Sequence, residues 1–271
     1  MDSMQVYRGL DIGTAKPSRA ERERVAHHLV DIADPEEEWS VVRFQSEARA
    51  AVAAIEARGN RALLVGGTGL YVQAVVDDLR FPGEDPDLRR ELEAWTAEAG
   101  GVAAAYSELE AADPDAAARI DPHNARRIVR ALEVIRLTGE PFSSFGAGVS
   151  AFGPTAFPVE MVGLWLPREV LAARIDARVE QMRNEGLQAE VEALRERFSR
   201  TAAQAIGYKE LLEAQRGGST IDEAFALIAR RTRSFARRQR MWFRRDPRIT
   251  WLGAAENPCS LASALLALWK V

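Results

Sequence analysis

An α/β fold, with a parallel sheet covered by helices, is what this 271-residue sequence predicts, on three observations. Helical apolar stripes alternate with short, nearly continuous apolar runs, the order expected of strands joined by crossover helices. Arg61 to Val65 (RALLV) is one such run, and it passes through Gly66-Gly67-Thr68-Gly69 directly into a helix, as a buried parallel strand does. Val159 to Leu166 (VEMVGLWL) and Ile249 to Leu252 (ITWL) return to strand character late in the chain. Hydrophobic residues at 47% and charged residues at 28%, with 19 Gly and 12 Pro, exclude a disordered, collagenous or coiled-coil chain.

Each element has a local reason. Ser18-Arg19-Ala20-Glu21 is a capping box that opens a short helix. His28 to Ala33 (HLVDIA) is predicted as a short strand. Ser40 caps a helix whose apolar stripe is Phe44, Ala48, Val52 and Ile55, stopped at Gly59. After the Arg61–Val65 strand and its glycine turn comes a helix over Leu70–Leu79. Residues 83–153 differ: helical, rich in Ala, Glu and Arg, with no strand candidate, they form an insertion between the two parts of an α/β core, 1–82 and 154–271. Within it Asp121-Pro122 starts a helix that runs to Leu137 and stops at Gly139, and 143–153 is a Ser/Gly-rich link. Pro167 then introduces a helix with Leu171, Ile175, Val179 and Met182 on one face, and the chain stays helical until Ile249. There are no internal repeats.

Several function classes fall away. No apolar run approaches the ~20 residues of a membrane helix, and the first residues contain no apolar signal core. Cys259 is the only cysteine, so neither an intrachain disulfide nor a cysteine metal site is expected, and a cytoplasmic location follows. Of the three histidines, His27 and His28 are adjacent and would point to opposite faces of a strand, so no zinc site is visible. The net charge of −4 conceals a segment, Arg230 to Arg248, with nine arginines against one acid, Asp246. A basic segment on an otherwise acidic chain points to a polyanion. Only Lys16, Lys209 and Lys270 among the 36 basic residues are lysine.

Four segments carry chemistry. Residues 2–17 (DSMQVYRGLDIGTAKP) are dense in different polar groups with little apolar period, which suits a binding loop; a fraying terminus is the plainer alternative. The GGTG turn lets backbone approach a ligand and precedes a helix N-terminus that can hold an anion, although no Walker A pattern occurs in the chain, and a plain tight turn fits equally. In Asp121 to Glu133 (DPHNARRIVRALE), Arg126 and Arg130 share a helix face with Arg127 beside them, as a phosphate contact or as a solvated face. In the fourth segment Arg230, Arg233, Arg237, Arg240 and Arg244 form one stripe. Arg231, Arg238 and Arg245 widen it, and guanidinium groups suit phosphates and stacked bases. Arg174 and Arg178 lie four apart after the Val159–Leu166 strand, and can meet an anion or pair with Asp176 and Glu180.

These segments in this order resemble the tRNA dimethylallyltransferases (tRNA isopentenyltransferases). DSMQVYRGLDIGTAKP is similar to the family's D-S-x-Q-x-Y-x-x-x-D-I-G-T-A-K-P signature. HHLVDIADP, VGGTGLYVQAVV, DPHNARRIVRALEV, RIDARVEQM and QAIGYKE follow in order across essentially the whole chain. The resemblance implies a P-loop-NTPase-like core and transfer of a dimethylallyl group from dimethylallyl diphosphate to N6 of the adenine 3′ to the anticodon, with Mg²⁺. It implies that Asp2 is the base that takes the amine proton, that Thr68 lies near the reacting groups, and that Arg178 faces the diphosphate. It assigns the tRNA anticodon stem-loop to Ser3, Met4, Gln5, Arg89, Arg126, Arg127, Ile128, Val129, Arg130, Gln204, Gly207, Tyr208, Lys209, Arg237, Arg238, Arg240 and Arg244, in a protein acting as a monomer. An adenylate isopentenyltransferase or a non-catalytic tRNA-binding remnant are the alternatives.

One departure accompanies the match. Family members carry a strand and a G-x-T-x-S-G-K-[ST] loop before the D-S-x-Q motif, which cradles the diphosphate and helps hold Mg²⁺, whereas Asp2 here follows Met1 directly. The expectation is an N-terminally truncated reading of an ordinary gene, with no metal ligand in this chain and little or no turnover by residues 1–271 alone. In-frame translation upstream of Met1 is therefore predicted to yield a strand followed by a Walker A loop within roughly 150 nucleotides; its absence there refutes the expectation.

Overall fold

The computed structural model describes residues 1–77, 79–145, 149 and 152–269. It divides into two compact units, one of Met1–Asp78 with Phe152–Val271 and the other of Leu79–Ala151. In chain order the first unit opens with α1 (Arg19–Arg24), α2 (Val41–Glu56) and α3 (Gly69–Val76). The second unit supplies α4 (Pro86–Ala97), α5 (Gly101–Ala112), α6 (Pro114–Ala117) and α7 (Ala125–Thr138). The chain returns to the first unit for β1 (Met161–Trp165), α8 (Arg168–Glu185), α9 (Leu187–Ala193), α10 (Tyr208–Gln215) and α11 (Ile221–Phe243). β2 (Ile249–Gly253) and α12 (Ala262–Leu268) complete it.

Local signals set many of these ends. The Ser18 hydroxyl accepts the Glu21 N–H at 3.3 Å while the Glu21 carboxylate accepts the Ser18 N–H at 2.8 Å, closing the capping box of α1. Ser40 caps α2 by accepting the Arg43 N–H at 3.2 Å, and Phe44, Ala48 and Val52 of the stripe are buried. Ile175 and Val179 turn the apolar face of α8 inward. Phe44, Ala48, Ile175 and Val179 join Val6, Tyr7, Leu10, Val75, Tyr208, Leu211 and Ile228 in one core. Each large apolar side chain so buried contributes about 1.5–3 kcal/mol before entropy is counted.

β1 and β2 pair in parallel, in register from Met161 opposite Ile249 to Trp165 opposite Gly253. The two other expected strands do not form ladders. His28–Ala33 is broken by Leu29 and Asp31, both in the left-handed region at φ 60° and 57°, and only Ala33 bridges to Tyr7. Arg61–Val65 has no adjacent strand among the described residues, and Leu63 and Val65 are 64% and 68% exposed. Sheet pairing supplies the backbone partners of an extended run, and without it the apolar pattern alone does not make a strand.

The second unit contains helices and no strand among its described residues. Its core comprises Leu92, Ala105, Leu109, Ile128 and Leu132, among others. α7 starts at Ala125, three residues after Pro122, because Asn124 caps it by accepting the Arg127 N–H at 3.2 Å; Gly139 ends it. Phe142–Phe145 is a turn of 3₁₀ helix, and 146–148 and 150–151 of the expected Ser/Gly link lie outside the described residues. Glu133, with 0% exposure, accepts two-pronged bonds from Arg89, one from Arg130 at 2.9 Å and one from the Asp85 N–H at 2.9 Å. Burial pushes its carboxyl up, but these donors outweigh burial and hold it below the usual glutamate range.

A folded pKa below the unfolded one gives stability that is present above about pH 4.3 and lost as pH falls through the folded value. Glu133→Gln is expected to destabilise the full chain by about 2 kcal/mol near neutrality, where Arg89 and Arg130 keep their charge beside a neutral amide. The difference from wild type should shrink in acid. Thermal unfolding of both forms between pH 3 and 7 checks this, and a pH-independent difference overturns it.

Candidate active site and nucleic-acid interface

Residues 2–17 have little regular secondary structure, yet they do not fray. The Met1 amine donates to the Val65 carbonyl, and burial holds it below its ordinary pKa against the opposing pull of Asp2. Asp2 Oδ1 accepts the N–H of Met4 at 2.8 Å and of Gln5 at 3.4 Å, a local turn that fixes the carboxylate. Oδ2 has no protein partner among the described residues. The Gln5 side-chain amide donates to the carbonyls of Thr14 and Ala15 at 3.0 and 3.2 Å, tying the two ends of the segment together. Lys16, its side chain 1% exposed, donates to the Tyr7 carbonyl, Asp11 and Asp31 at 2.6–2.7 Å.

One carboxylate organises the middle of the loop. Glu190 of α9 accepts the N–H groups of Asp11, Ile12 and Gly13 at 2.8–3.2 Å, and also the Tyr208 hydroxyl. Tyr208 is completely buried, and burial together with Glu190 holds its hydroxyl far above the ordinary tyrosine range, so it stays a donor. Its ring lies where a Cβ on residue 13 would be, which only glycine permits.

Thr68 joins this loop to the glycine turn. Its Oγ1 accepts the Ser3 N–H at 3.4 Å, so Asp2 and Thr68 are brought together by one residue between them. The glycines beside Thr68 are occupied by protein. The Gln239 amide donates to the Gly67 carbonyl at 2.9 Å, and a Cβ on Gly69 would lie 2.5 Å from the Trp242 indole. Both partners belong to α11, so the close approach these glycines allow is to that helix.

The arginines of 230–248 divide into three kinds. Arg231 pairs with buried Glu210, Arg233 with Asp176, and Arg248 with Asp77 at 2.6 Å and Asp246 at 2.7 Å. Arg238, Arg240 and Arg245 lie over Phe235, Trp165 and Trp242 with the guanidinium 5.8, 5.7 and 4.6 Å from the ring centres. Arg230, Arg237 and Arg244 are exposed, with no ion pair or ring partner among the described residues. The stripe is thus partly neutralised from within, and its open charges concentrate at these three. Arg178 on α8 is also exposed and unpaired among the described residues; Asp176 serves Arg233 instead, and no hydrogen bond links Arg178 to Asp2 or Thr68.

A sequence profile for the IPP transferases matches residues 5–246. The chain belongs to this family of tRNA dimethylallyltransferases. The tRNA dimethylallyltransferase of Kineococcus radiotolerans is 54% identical over 275 aligned positions, covering 100% of this chain and 85% of that protein. The Bifidobacterium longum subsp. infantis enzyme is 48% identical, over 97% of this chain and 79% of its own. Among solved structures, a tRNA isopentenylpyrophosphate transferase from Bacillus halodurans superposes with TM-score 0.69 at 41% identity, covering 99% and 85% of the two chains. A eukaryotic dimethylallyltransferase, described as acting on tRNA, gives 0.77 at 27% identity over 99% and 72%.

In this IPP transferase the expected site residues fall into distinct settings. Asp2, Ser3, Met4, Gln5 and Thr68 come together around the turn. Arg237, Arg238, Arg240 and Arg244 lie on α11 or directly after it, and all four are exposed. Gln204 is exposed and accepts from Lys209 at 3.0 Å, whereas Gly207 is buried and donates its N–H to Glu210 at 2.7 Å. Four of the expected RNA contacts have side chains engaged in the protein's own packing. Tyr208 is interior, Ile128 and Val129 are in the helical core, and Arg89 spends its guanidinium on Glu133. Arg130 is half turned inward to the same carboxylate and to the Pro82 carbonyl, while Arg126 and Arg127 stay exposed. Glu190 and Gln239 carry no signal in the sequence pattern, whereas Trp242 recurs at a seven-residue spacing with Ile228 and Phe235.

Removing the Glu190 carboxylate leaves three consecutive N–H groups and a buried hydroxyl without their acceptor. Glu190→Ala is expected to cost about 2 kcal/mol and to raise hydrogen exchange at the amides of residues 11–13. Glu192→Ala, on an exposed carboxylate two positions away, should do neither, and equal exchange in the two variants refutes the role.

Proposed function

We propose that this protein transfers a dimethylallyl group from dimethylallyl diphosphate to N6 of the adenine 3′ to the anticodon of tRNA, acting as a cytoplasmic monomer. The observation that carries the reading is the junction of Asp2 and Thr68 through the Ser3 N–H, on a turn seated against the helix that bears Arg237 and Arg240, with Arg244 next along the chain. The names of the similar enzymes and the family match support the same reaction.

The exocyclic amine is a weak nucleophile because its lone pair is delocalised into the purine ring. As N6 bonds to the allylic carbon, the carbon–oxygen bond to diphosphate breaks and its electron pair leaves with the diphosphate. The N6 proton passes to Asp2, whose Oδ1 is held by two backbone N–H groups and whose Oδ2 is open to receive it. The exposed Arg178 is suited to the leaving diphosphate, since cationic charge there stabilises the negative charge as it develops. Extrusion of the adenine from its stack is required for the amine to reach a carboxylate on the protein. Mg²⁺ belongs to the reading through the family alone. Among the described residues no cluster of three or more His, Cys, Asp or Glu could hold a metal ion. No described helix is long and apolar enough to cross a membrane.

The test measures transfer from labelled dimethylallyl diphosphate to an anticodon stem-loop and to AMP, with tRNA affinity taken at several salt concentrations. Any transfer should go to the stem-loop and not to AMP. Arg237→Ala and Arg244→Ala should each lower the slope of log K against log salt by about 1, while the internally paired Arg233→Ala changes it less. Binding without transfer favours the non-catalytic reading, and transfer to AMP alone favours the adenylate enzyme.

A further inference from the structure

We propose that Gln239 and Trp242 are positioning residues that seat the Thr68 turn on α11, so that the helix offering arginines to RNA also sets the reacting geometry. The inference rests on the transferase reading above and adds two residues to it. Thr68 has a glycine on either side, and each glycine meets a different side chain of the same helix. The Gln239 amide donates to the Gly67 carbonyl at 2.9 Å, and the Trp242 ring fills the space beside Gly69. A Cβ at 69 would collide with the Trp242 ring, and one at 67 would displace the end of the Gln239 side chain.

The contact reaches the base in two steps. Thr68 Oγ1 accepts the Ser3 N–H at 3.4 Å, and Asp2 is the preceding residue. The Thr68 carbonyl in turn accepts the Val72 N–H at 3.0 Å, closing the first turn of α3. Gln239 and Trp242 lie one helical turn apart and face the glycine turn. Arg237, two positions before Gln239, and Arg240, one after it, are exposed to solvent. The two faces of a single rigid element are thereby assigned different tasks, RNA contact on one and active-site geometry on the other. A helix fixes the relation between them to within the play of its side chains.

The experiment compares wild type, Gln239→Met, Trp242→Leu and Arg237→Ala by hydrogen exchange, tRNA affinity and transfer rate. Gln239→Met keeps length and removes the donor. It should speed exchange of the Val72 amide and lower transfer at saturating tRNA by about fivefold to tenfold, the scale of one lost hydrogen bond, with tRNA affinity within about twofold of wild type. Trp242→Leu should act in the same direction. Arg237→Ala should do the reverse, weakening tRNA with Val72 exchange unchanged. The proposal is overturned if Val72 exchange does not move in Gln239→Met, or if that variant weakens tRNA as much as Arg237→Ala. If wild type transfers to AMP and not to tRNA, the transferase reading fails, while the exchange comparison still decides whether the turn is seated by α11.

Discussion

Backbone amides outside helices and strands still need partners, and residues 2–17 have few of their own. The Glu190 carboxylate meets this need by receiving three consecutive N–H groups, of Asp11, Ile12 and Gly13, together with the Tyr208 hydroxyl. The bonds are charge-assisted and converge on one group, so they fix the direction of the loop as well as its place. Everything assigned to the N-terminal segment depends on that fixation. Gln5 transmits it from Thr14 and Ala15 back toward Asp2, and the Met1 amine pins the other end to Val65. A segment that composition leaves between binding loop and loose terminus is thereby an ordered part of the core.

α11 is the second organising element. Its inward residues, Ala224, Phe225 and Ile228, anchor its first half. Beyond its C-terminal end, Arg248 binds Asp77 at the end of α3 and Asp246 in its own loop, closing a partly buried ion group. Arginine near the negative end of the helix is also favoured by its dipole. The helix can therefore carry a high density of positive charge without unravelling. Acids compensate some of it, aromatic rings shield some, and a few guanidinium groups remain open.

Features that depend on near neighbours were legible in the sequence. The Ser18–Glu21 box, the Ser40 cap, the Gly139 stop and the inward face of α8 rest on residues within a turn or two, and each is where the pattern places it. Strands were less legible because they require a distant partner. The Val159–Leu166 run found one in Ile249–Gly253, whereas RALLV has none among the described residues. The site divides the same way. Asp2 and Thr68 stand out through their motifs, but the residues that hold their segments, Glu190 and Gln239, act across 172 to 179 positions of sequence. Arginine periodicity likewise could not separate Arg233, bound to Asp176, from Arg237, which is open, because the acid that makes the difference lies on another helix.

Lys16 bears on the composition of the whole chain. Basic positions here are almost all arginine, yet one of the three lysines has its side chain only 1% exposed, with three oxygen acceptors from Tyr7, Asp11 and Asp31 around its ammonium. An ammonium presents three donors from a single point, whereas a guanidinium spreads its donors over a flat fork about two bonds wider. No planar group could satisfy three acceptors converging at 2.6–2.7 Å in so small a space. Whatever drives the sequence toward arginine elsewhere, at this position the shape of the cavity decides the residue.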